Sequence, residues 1–546
     1  MEDKKDFTID RINFPENDLN EFIQMLLKSH KRIIPILDPG IKIEKHYGPY
    51  ERGIEQEAFI RNPQSFPEDD QFYVGEVWPG NVHFVDFMNN KSLNYWKSEL
   101  DFFFKLFNNS KVIGGLWLDM NEPSNFMDGY NYTFNDLPMD YKSFSLNFPR
   151  YMINNGGNEV PIYRKTVPMD AETALGNSYQ THNMYGLFES IVTYKAMLAL
   201  DHQNRPFLLT RSTFPGSGNW TATWLGDNIS TFPQMALSIS GVLQYGLIGL
   251  PISGPDICGF LGDVTEELCV RWMALGAFYP FARNHNSIDS KIDQEPFRWK
   301  SVAGVSRKYL KLRYSLLPFF YTLMHTAHEK GWPIWRPIFF YDNSTAEALD
   351  ICDQFFVGRE LLISPVLTQS TVEMNLRLPA GEWYEWESFN FIKSSKSIKI
   401  LYKTPLDFIP IHLQAGSILI MQEPKLTMFE TRQTNFTMLI ALDSDGQATG
   451  EFYWDDGVSL NVDNEYIDLV IEAKVVDNSL LRIKHSGYVG CGSPLGSKLV
   501  ILTGGKYYNP KNDSNYNVII KDFGFEIVLK NDIKLKKLNN FIINFQ

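Results

Sequence analysis

Hydrophobic runs that stop at a polar residue alternate with helical stretches over the first two-thirds of the chain. These runs end in turn at Asp38, Asp119, Arg211, Asp227, Asp256 and His285. Segments with helical periodicity, such as 18–30 and 301–330, lie between them. This alternation predicts an α/β fold, a parallel (β/α)8 barrel of the TIM type with reactive side chains at the carboxyl ends of its strands. A later run, WPIWRPIFF, is expected to close the cylinder, and the strands still missing should precede Asp38.

After about residue 336 the pattern changes to short alternating strands separated by Gly, Pro, Asn and Asp. This spacing predicts two β-sandwiches, with a boundary near the polar stretch 422–433. The expected domains are a catalytic barrel, incomplete at its N-terminus, over 1–335, a proximal β-sandwich over 336–423 and a distal β-sandwich over 424–546.

Composition narrows the classes of function. The 546 residues are 44% hydrophobic and 14% aromatic, which is typical of a folded multidomain protein. A net charge of -13 argues against nucleic acid and anionic membranes as partners. No apolar stretch is long enough to span a bilayer, and the charged start MEDKKDFTID shows no signal peptide. The sequence leaves the oligomeric state open.

Cysteines and sequons bear on the compartment. Cys258 and Cys269 are close enough in sequence to bridge a short loop, and free buried thiols are the alternative. Sequons that would suit a glycoprotein occur at Asn90, Asn108, Asn131, Asn219, Asn228, Asn343, Asn435 and Asn512. Because sequons also arise by chance in Asn-rich chains, glycosylation stays one of two readings.

The segment WLDMNEPSNF, residues 117–126, brings Asp119 to the mouth of the predicted barrel between Trp117 and Met120. Apolar neighbours strengthen electrostatic interactions there, and an aromatic ring can pack on a pyranose. Asp119 is therefore a candidate nucleophile, and Glu122 is a second candidate carboxylate. The alternative is a strand-end Asp that caps the following helix.

The segment RSTFPGSGNWTATWLGDN, residues 211–228, places a guanidinium, a glycine-rich loop, Trp224 and Asp227 close together. An arginine beside a carboxylate keeps a nucleophile ionised and can bind sugar hydroxyls. An aromatic, apolar setting instead raises the pKa of an acid that donates a proton. Two carboxylates with these opposite demands suit glycoside hydrolysis. Metal binding is the competing use of such aspartates, but no pair of histidines accompanies them at ligand spacing, so no metal is predicted. No cofactor is expected either.

These segments resemble glycoside hydrolase family 31, in the branch of lysosomal acid α-glucosidase, maltase-glucoamylase and sucrase-isomaltase. WLDMNEPSNF is similar to the nucleophile motif of the family, and RSTFPGSGNWTATWLGDN to its acid/base motif. Further similar segments are SGPDICGF, RWMALGAFYPF, FYPFARNHN, FVGRELLISPVL, FIPIHLQAGSILIMQEP and ALDSDGQATGEFYWDDG. The resemblance covers the chain except for its last few dozen residues.

The resemblance implies a retaining exo-α-glucosidase that removes terminal α-linked, mainly 1,4-linked, glucose from maltose, glycogen or starch-type substrates. Asp119 would be the nucleophile and Asp227 the acid/base. The residues implied to hold or enclose the terminal glucose are Arg211, Asp256, His285, Trp117, Met120, Trp224, Phe260, Ile36 and Trp78. An α-xylosidase or α-glucan lyase of the same family, or an inactive truncated homologue that only binds carbohydrate, are the alternatives.

The resemblance also bears on residues outside this set. It implies a disulfide between Cys258 and Cys269, and with it a lysosomal or extracellular address. Glu122 and Asp38 would be structural, and Thr223 stands where the family usually has a histidine. MEDKKDFTID resembles the segment after the second barrel strand, so the chain is expected to lack two strands, an upstream β-sandwich and a glucose-binding aspartate. A barrel opened in this way would expose two sheet edges.

Overall fold

The structure is a computed structural model that describes residues 1–63, 71–108, 110–129, 146–147, 149, 161–490, 495–506, 508–534 and 541–545. The chain forms two compact units, Met1–Thr223 and Trp224–Gln546. The sequon at Asn131 and the fourth cysteine, Cys491, lie outside the described residues. Within the described ranges, no helix combines the length and apolarity needed to cross a membrane.

The first unit is built on short strands and five α-helices within its described residues. Its strands are β1 (Ile36–Leu37), β2 (Gly40–Lys42), β3 (Gly75–Val77), β4 (Gly80–Phe84), β5 (Leu116–Leu118), β6 (Glu172–Thr173), β7 (Gly176–Asn177), β8 (Leu208–Thr210) and β9 (Ala222–Thr223). Its helices are α1 (Glu16–Lys28), α2 (Gly48–Glu55), α3 (Ser92–Lys105), α4 (Ser178–Thr181) and α5 (Tyr185–Leu200).

A parallel sheet in the order β1-β5-β8-β9 organises the first unit. Helix α3 buries Trp96, Leu100 and Phe103, whose spacing places them on one helix face. The indole of Trp96 donates a hydrogen bond of 2.9 Å to the hydroxyl of Thr193 on α5. This contact and the surrounding aromatic core pack the two helices together, and the same core includes Leu116 and Leu118 of β5.

The second unit begins with short parallel strands and continues into antiparallel sheets. Its strands are β10 (Asp256–Ile257), β11 (Arg283–Asn284), β12 (Trp335–Pro337), β13 (Phe355–Val357), β14 (Leu361–Ile363), β15 (Glu373–Leu378), β16 (Gly381–Glu385), β17 (Phe391–Ser394), β18 (Ile398–Lys403), β19 (Ile411–Gln414), β20 (Ser417–Gln422), β21 (Phe436–Ala441), β22 (Gln447–Trp454), β23 (Ile467–Val476), β24 (Leu480–Val489), β25 (Leu495–Leu502), β26 (Tyr516–Lys521), β27 (Gly524–Lys534) and β28 (Phe541–Asn544). Its helices are α6 (Phe232–Leu247), α7 (Glu266–Gly276), α8 (Lys300–Ser315), α9 (Leu317–Lys330), α10 (Ala346–Leu349) and α11 (Met428–Arg432).

Two local expectations about strands were wrong. Asp256 is the first residue of β10, not the residue that follows a strand. The run WPIWRPIFF supplies β12, which pairs antiparallel with β13 at the edge of a six-stranded sheet instead of closing a parallel barrel. The ring of Trp335 stacks on Phe355 of β13 at 3.5 Å, which favours this pairing. An apolar run alone does not reveal which strand it will join.

A nine-stranded sheet in the order β26-β27-β25-β21-β20-β22-β23-β24-β28 dominates the end of the chain. On β23, Ile467, Leu469 and Ile471 are buried, whereas Asp468 and Val470 between them are exposed. This alternation is the period of a strand with one face on a core and one face outward. The strand-rich pattern predicted for the C-terminal part is thus confirmed, while the boundary between two sandwich domains stays a prediction.

Candidate active site

Asp119 and Arg211 are neighbours because their strands are neighbours in the first unit. Strand β5 pairs in parallel with β8, with Leu118 opposite Thr210, so the next residue of each strand emerges at the same edge. The guanidinium Nη1 of Arg211 lies 2.8 Å from Oδ1 of Asp119. A cation at this distance favours the ionised carboxylate, which is the form that a nucleophile requires.

Glu122 fixes the orientation of the same guanidinium. Arg211 donates from Nε to Oε1 of Glu122 at 2.8 Å and from Nη2 to Oε2 at 3.0 Å, a bidentate pair. Nη2 also lies 3.3 Å from the sulfur of Met120. The backbone of Met120 has a φ of 57°, a left-handed conformation that is uncommon for a non-glycine residue and is often found at functional sites. Glu122 is therefore committed to Arg211, and Asp119 is the better placed nucleophile of the two carboxylates.

A second set of acidic groups is buried next to this ion pair. Asp38 follows β1, whose Leu37 lies opposite Leu118, so Asp38 emerges beside Asp119. The backbone N–H of Asp38 donates to Oδ1 of Asp6 at 3.0 Å, and both side chains are almost completely buried. Burial, together with the charge of Asp119, raises the pKa of Asp38 to about 7, although Arg211 opposes the shift. Asp38 is thus a carboxyl group that stays neutral in mildly acidic solution.

Replacing Asp38 with asparagine is expected to stabilise the protein increasingly as the pH rises. The folded parent keeps a proton on Asp38 between its ordinary pKa of 3.8 and about 7, whereas the unfolded chain does not, so the stability of the parent falls through this range. Asparagine has no proton to lose, and the gain should level off above the upper value at the order of a few kcal/mol. Urea unfolding at several pH values measures this difference. Asp18→Asn, at an exposed position of the same unit, is the control, and parallel pH curves for parent and Asp38→Asn would contradict the assignment.

In the second unit, Asp256 is held by an arginine that the sequence analysis did not single out. Arg283 donates to Oδ1 of Asp256 from Nη2 at 2.7 Å and from Nε at 3.0 Å. The guanidinium also lies over the ring of Trp224, 5.2 Å from its centroid. Arg283 stands two residues before His285 in FYPFARNHN. Asp256 and Arg283 lie opposite each other as the first residues of the paired strands β10 and β11, and this pairing of an acid with a cation is the signal that could have identified Arg283.

His285 and Phe260 form the aromatic part of this site. Their rings stack with centroids 5.1 Å apart. Burial and the neighbouring Arg283 lower the pKa of His285 to about 4, so its imidazole is neutral near neutral pH. The buried amide of Gln294 donates to the carbonyls of Gly259 at 3.0 Å and His285 at 2.9 Å, which fixes the two loops relative to each other. Sequence reasoning missed Gln294, because nothing in its local pattern sets it apart.

Asn228 and the disulfide complete the frame around Asp256. Asn228 is buried, and its side-chain amide donates to the backbone carbonyl of Asp256 at 3.3 Å and accepts from the backbone N–H of Asp256 at 3.2 Å. Its amide therefore faces inward, and this sequon is not accessible for a glycan. Cys258 and Cys269 form the disulfide that the resemblance implied, which ties β10 to α7. Cys352 is a free, exposed thiol.

The remaining predicted site residues differ in their position and in how far they are buried. Ile36 lies opposite Trp117 across β1 and β5, so both are near Asp119. Trp224 is buried, and Trp78 is 52% exposed with its ring edge-to-face against Phe126 at 4.9 Å. Asp227 is exposed, so the apolar setting expected around it from sequence is not present. The reason is local, since Gly226, with a φ of 74°, turns the chain outward after the buried Trp224.

Thr223, which replaces the usual histidine of the motif, is fully buried. Its hydroxyl donates to the carbonyl of Thr210 at 2.8 Å, next to Arg211. Threonine at this position therefore leaves no buried hydroxyl without a hydrogen bond, because its hydroxyl bonds to the neighbouring strand β8.

Two sequence profiles of one family match the chain. The profile described as "Glycosyl hydrolases family 31 TIM-barrel domain" matches residues 1–323, and the profile "Glycosyl hydrolase family 31 C-terminal domain" matches residues 331–419. These matches confirm the predicted order of a TIM barrel followed by further C-terminal structure.

Individual relatives agree. An alpha-glucosidase of Hordeum vulgare is 42% identical over 515 residues, which cover 92% of this chain and 56% of that protein. A probable alpha-glucosidase of Oryza sativa subsp. japonica is 41% identical over 461 residues, covering 84% and 50%. The solved structure of a Tris-bound glucosidase II alpha subunit has a TM-score of 0.81 at 26% identity, covering 100% of this chain and 57% of that one. The chain spans about half the length of these curated relatives.

The barrel profile extends over more than half of the chain, the C-terminal profile follows it, and the Asp119 and Asp227 motifs both lie inside the matched barrel segment. With relatives at 41% and 42% identity, the chain belongs to glycoside hydrolase family 31.

Proposed function

We propose that the protein is a retaining exo-α-glucosidase that removes terminal, mainly α-1,4-linked, glucose from maltose, glycogen or starch-type substrates. One observation carries the proposal: Asp119 is ion-paired to Arg211 at 2.8 Å, at the carboxyl edge of the parallel sheet. An exposed second carboxylate, Asp227, is available in the acid/base motif. The similarity to the alpha-glucosidase of Hordeum vulgare and the probable alpha-glucosidase of Oryza sativa subsp. japonica supports the substrate class.

The proposed reaction has two displacements. Carboxylate Asp119 attacks the anomeric carbon and forms a β-glycosyl-enzyme, while the carboxylic acid of Asp227 gives its proton to the departing glycosidic oxygen. Asp227, now ionised, then takes a proton from water as the water oxygen attacks the same carbon and the bond to Asp119 breaks. Two inversions give α-glucose, and no metal or cofactor is needed.

The other residues are proposed to bind the terminal glucose. Arg211 and Asp256 present charged groups for hydroxyls, and His285 presents a neutral imidazole that can both donate and accept. Trp117, Met120, Trp224 and Phe260 are proposed as apolar walls, with Ile36 and Trp78 at the rim. Asp227 is exposed, so its carboxyl group is accessible to the glycosidic oxygen of a bound substrate.

We also propose a lysosomal or extracellular location. The disulfide between Cys258 and Cys269 supports this, because such bonds persist mainly in oxidising compartments.

Purified protein is expected to release nitrophenol from 4-nitrophenyl α-glucoside and to release α-glucose first from maltose, as followed by proton NMR of the anomers. Initial β-glucose would contradict the retaining mechanism. Preferential cleavage of the corresponding α-xyloside would favour an α-xylosidase, and an unsaturated or anhydro sugar product would favour a lyase. A folded protein without any turnover would favour the remaining alternative, an inactive homologue that only binds carbohydrate.

A further inference from the structure

A groove of about 520 Å³ lies in the second unit between α9 and the outward face of β22 and β23. Helix α9 contributes His325 and Glu329 to one wall, and the strands contribute Tyr453 and Asp468 to the other. None of these residues belongs to the proposed glycosidase site. The volume is in the range of small-molecule sites in proteins.

Aromatic rings form a row across this face of the sheet. Tyr453 lies opposite Asp468 on β23, and Asp468 lies opposite Tyr488 on β24, so the three side chains share one face. The ring of Tyr466 lies 6.1 Å from Tyr453 and 4.6 Å from Tyr488, between centroids. His325 extends the row, stacked on Tyr453 at 3.5 Å.

These rings are not part of the hydrophobic core. The residues that alternate with them, such as Phe452 and Ile467, point inward and are buried. Tyr488 by contrast is 38% exposed, and Tyr453 and Tyr466 are only partly buried. Outward positions of a half-exposed sheet are ordinarily polar, so a row of rings beside an open groove indicates a surface that binds something.

The charges of the groove limit what that ligand can be. Asp468 is exposed and has no ion-pair partner among the residues that the structure describes. Glu329 faces the same groove, and the one lysine of its lining, Lys330, is paired with Glu451 at 2.8 Å. An anion would be repelled. A neutral pyranose fits, because its hydroxyls donate to carboxylates while its C–H face packs on aromatic rings.

We propose that this groove is a second carbohydrate site that binds an α-linked glucan chain. The choice of an α-glucan rests on the proposed glucosidase function, whereas the choice of a neutral sugar rests on the groove itself. A site of this kind would hold a polymer such as glycogen on the protein while its chain ends are hydrolysed. It should therefore matter for polymeric substrates and not for maltose.

Affinity electrophoresis in gels that contain glycogen tests the proposal. The full chain is used in an Asp119→Ala background, so that hydrolysis does not remove the ligand. Tyr466→Ala is expected to weaken glycogen binding about three- to tenfold, the loss of one stacked ring, whereas Tyr466→Phe should retain most of it. Asp468→Asn should also weaken binding. Tyr179→Ala removes an exposed tyrosine of the first unit and is the matched control.

Kinetics separate this site from the catalytic one. With Asp119 restored, Tyr466→Ala should raise the KM for glycogen and leave the KM for maltose unchanged. Unchanged migration of a Tyr466→Ala, Asp468→Asn double variant in glycogen gels would overturn the proposal, and so would binding that is lost in high salt, since a neutral ligand is little affected by screening. Glycogen binding by a wild-type chain without any hydrolysis would reject the proposed function and leave the second site standing.

Discussion

Asp119→Ala is expected to lower kcat/KM for 4-nitrophenyl α-glucoside by about four orders of magnitude or more, because the change removes the proposed nucleophile. Glu122 cannot substitute, since both of its oxygens are bound by Arg211 at 2.8 and 3.0 Å. Circular dichroism should show that the variant is folded. Steady-state hydrolysis of the nitrophenyl glucoside is the measurement.

Chemical rescue makes the assignment specific. Azide is small enough to enter the space left by the Asp119 carboxylate, and its attack on the α-glucoside in one displacement should yield β-glucosyl azide. Glu122→Gln is the matched control: it should reduce activity through a disordered Arg211, and azide should not rescue it. Substantial activity in Asp119→Ala, or rescue of Glu122→Gln with a β-azide product, would move the nucleophile to Glu122.

Asp227→Ala is expected to lower kcat/KM for maltose by roughly 10²- to 10⁴-fold, the usual contribution of a general acid/base. The loss should be much smaller in the first step with 4-nitrophenyl α-glucoside, because nitrophenolate leaves without protonation. Hydrolysis of the glycosyl-enzyme then becomes limiting, since no base activates water. A burst of nitrophenol followed by slow turnover, measured by stopped flow, is the expected signature.

Azide again distinguishes the two carboxylates. It needs no general base, so it should accelerate turnover of Asp227→Ala and give α-glucosyl azide, the retained product. Asp350→Ala changes another exposed aspartate of the same unit and should leave maltose hydrolysis intact. An Asp227→Ala variant with equal losses for maltose and the nitrophenyl glucoside would contradict an acid/base role.

The position of a site residue could be predicted from the sequence when it depends only on the neighbouring residues of the chain. Asp119 and Arg211 were predictable because each directly follows an apolar strand, and parallel neighbours bring their carboxyl ends together. Asp256 was expected to follow a strand, but it is the first residue of β10, so this expectation was wrong. Asp227 follows its strand by a longer turn, and its exposure depends on the backbone of Gly226, which the hydrophobic pattern does not report.

By itself, the sequence determined the alternation of strands and helices, the strand-rich C-terminal part and the motifs of family 31. Each of these features depends on residues that are close together along the chain. Only the tertiary structure decided that Asp6 meets Asp38, that Arg283 holds Asp256, that Gln294 joins two loops and that Trp335 packs on Phe355. These contacts join residues 9 to 35 positions apart, and their strength depends on burial, which exists only once the chain has folded.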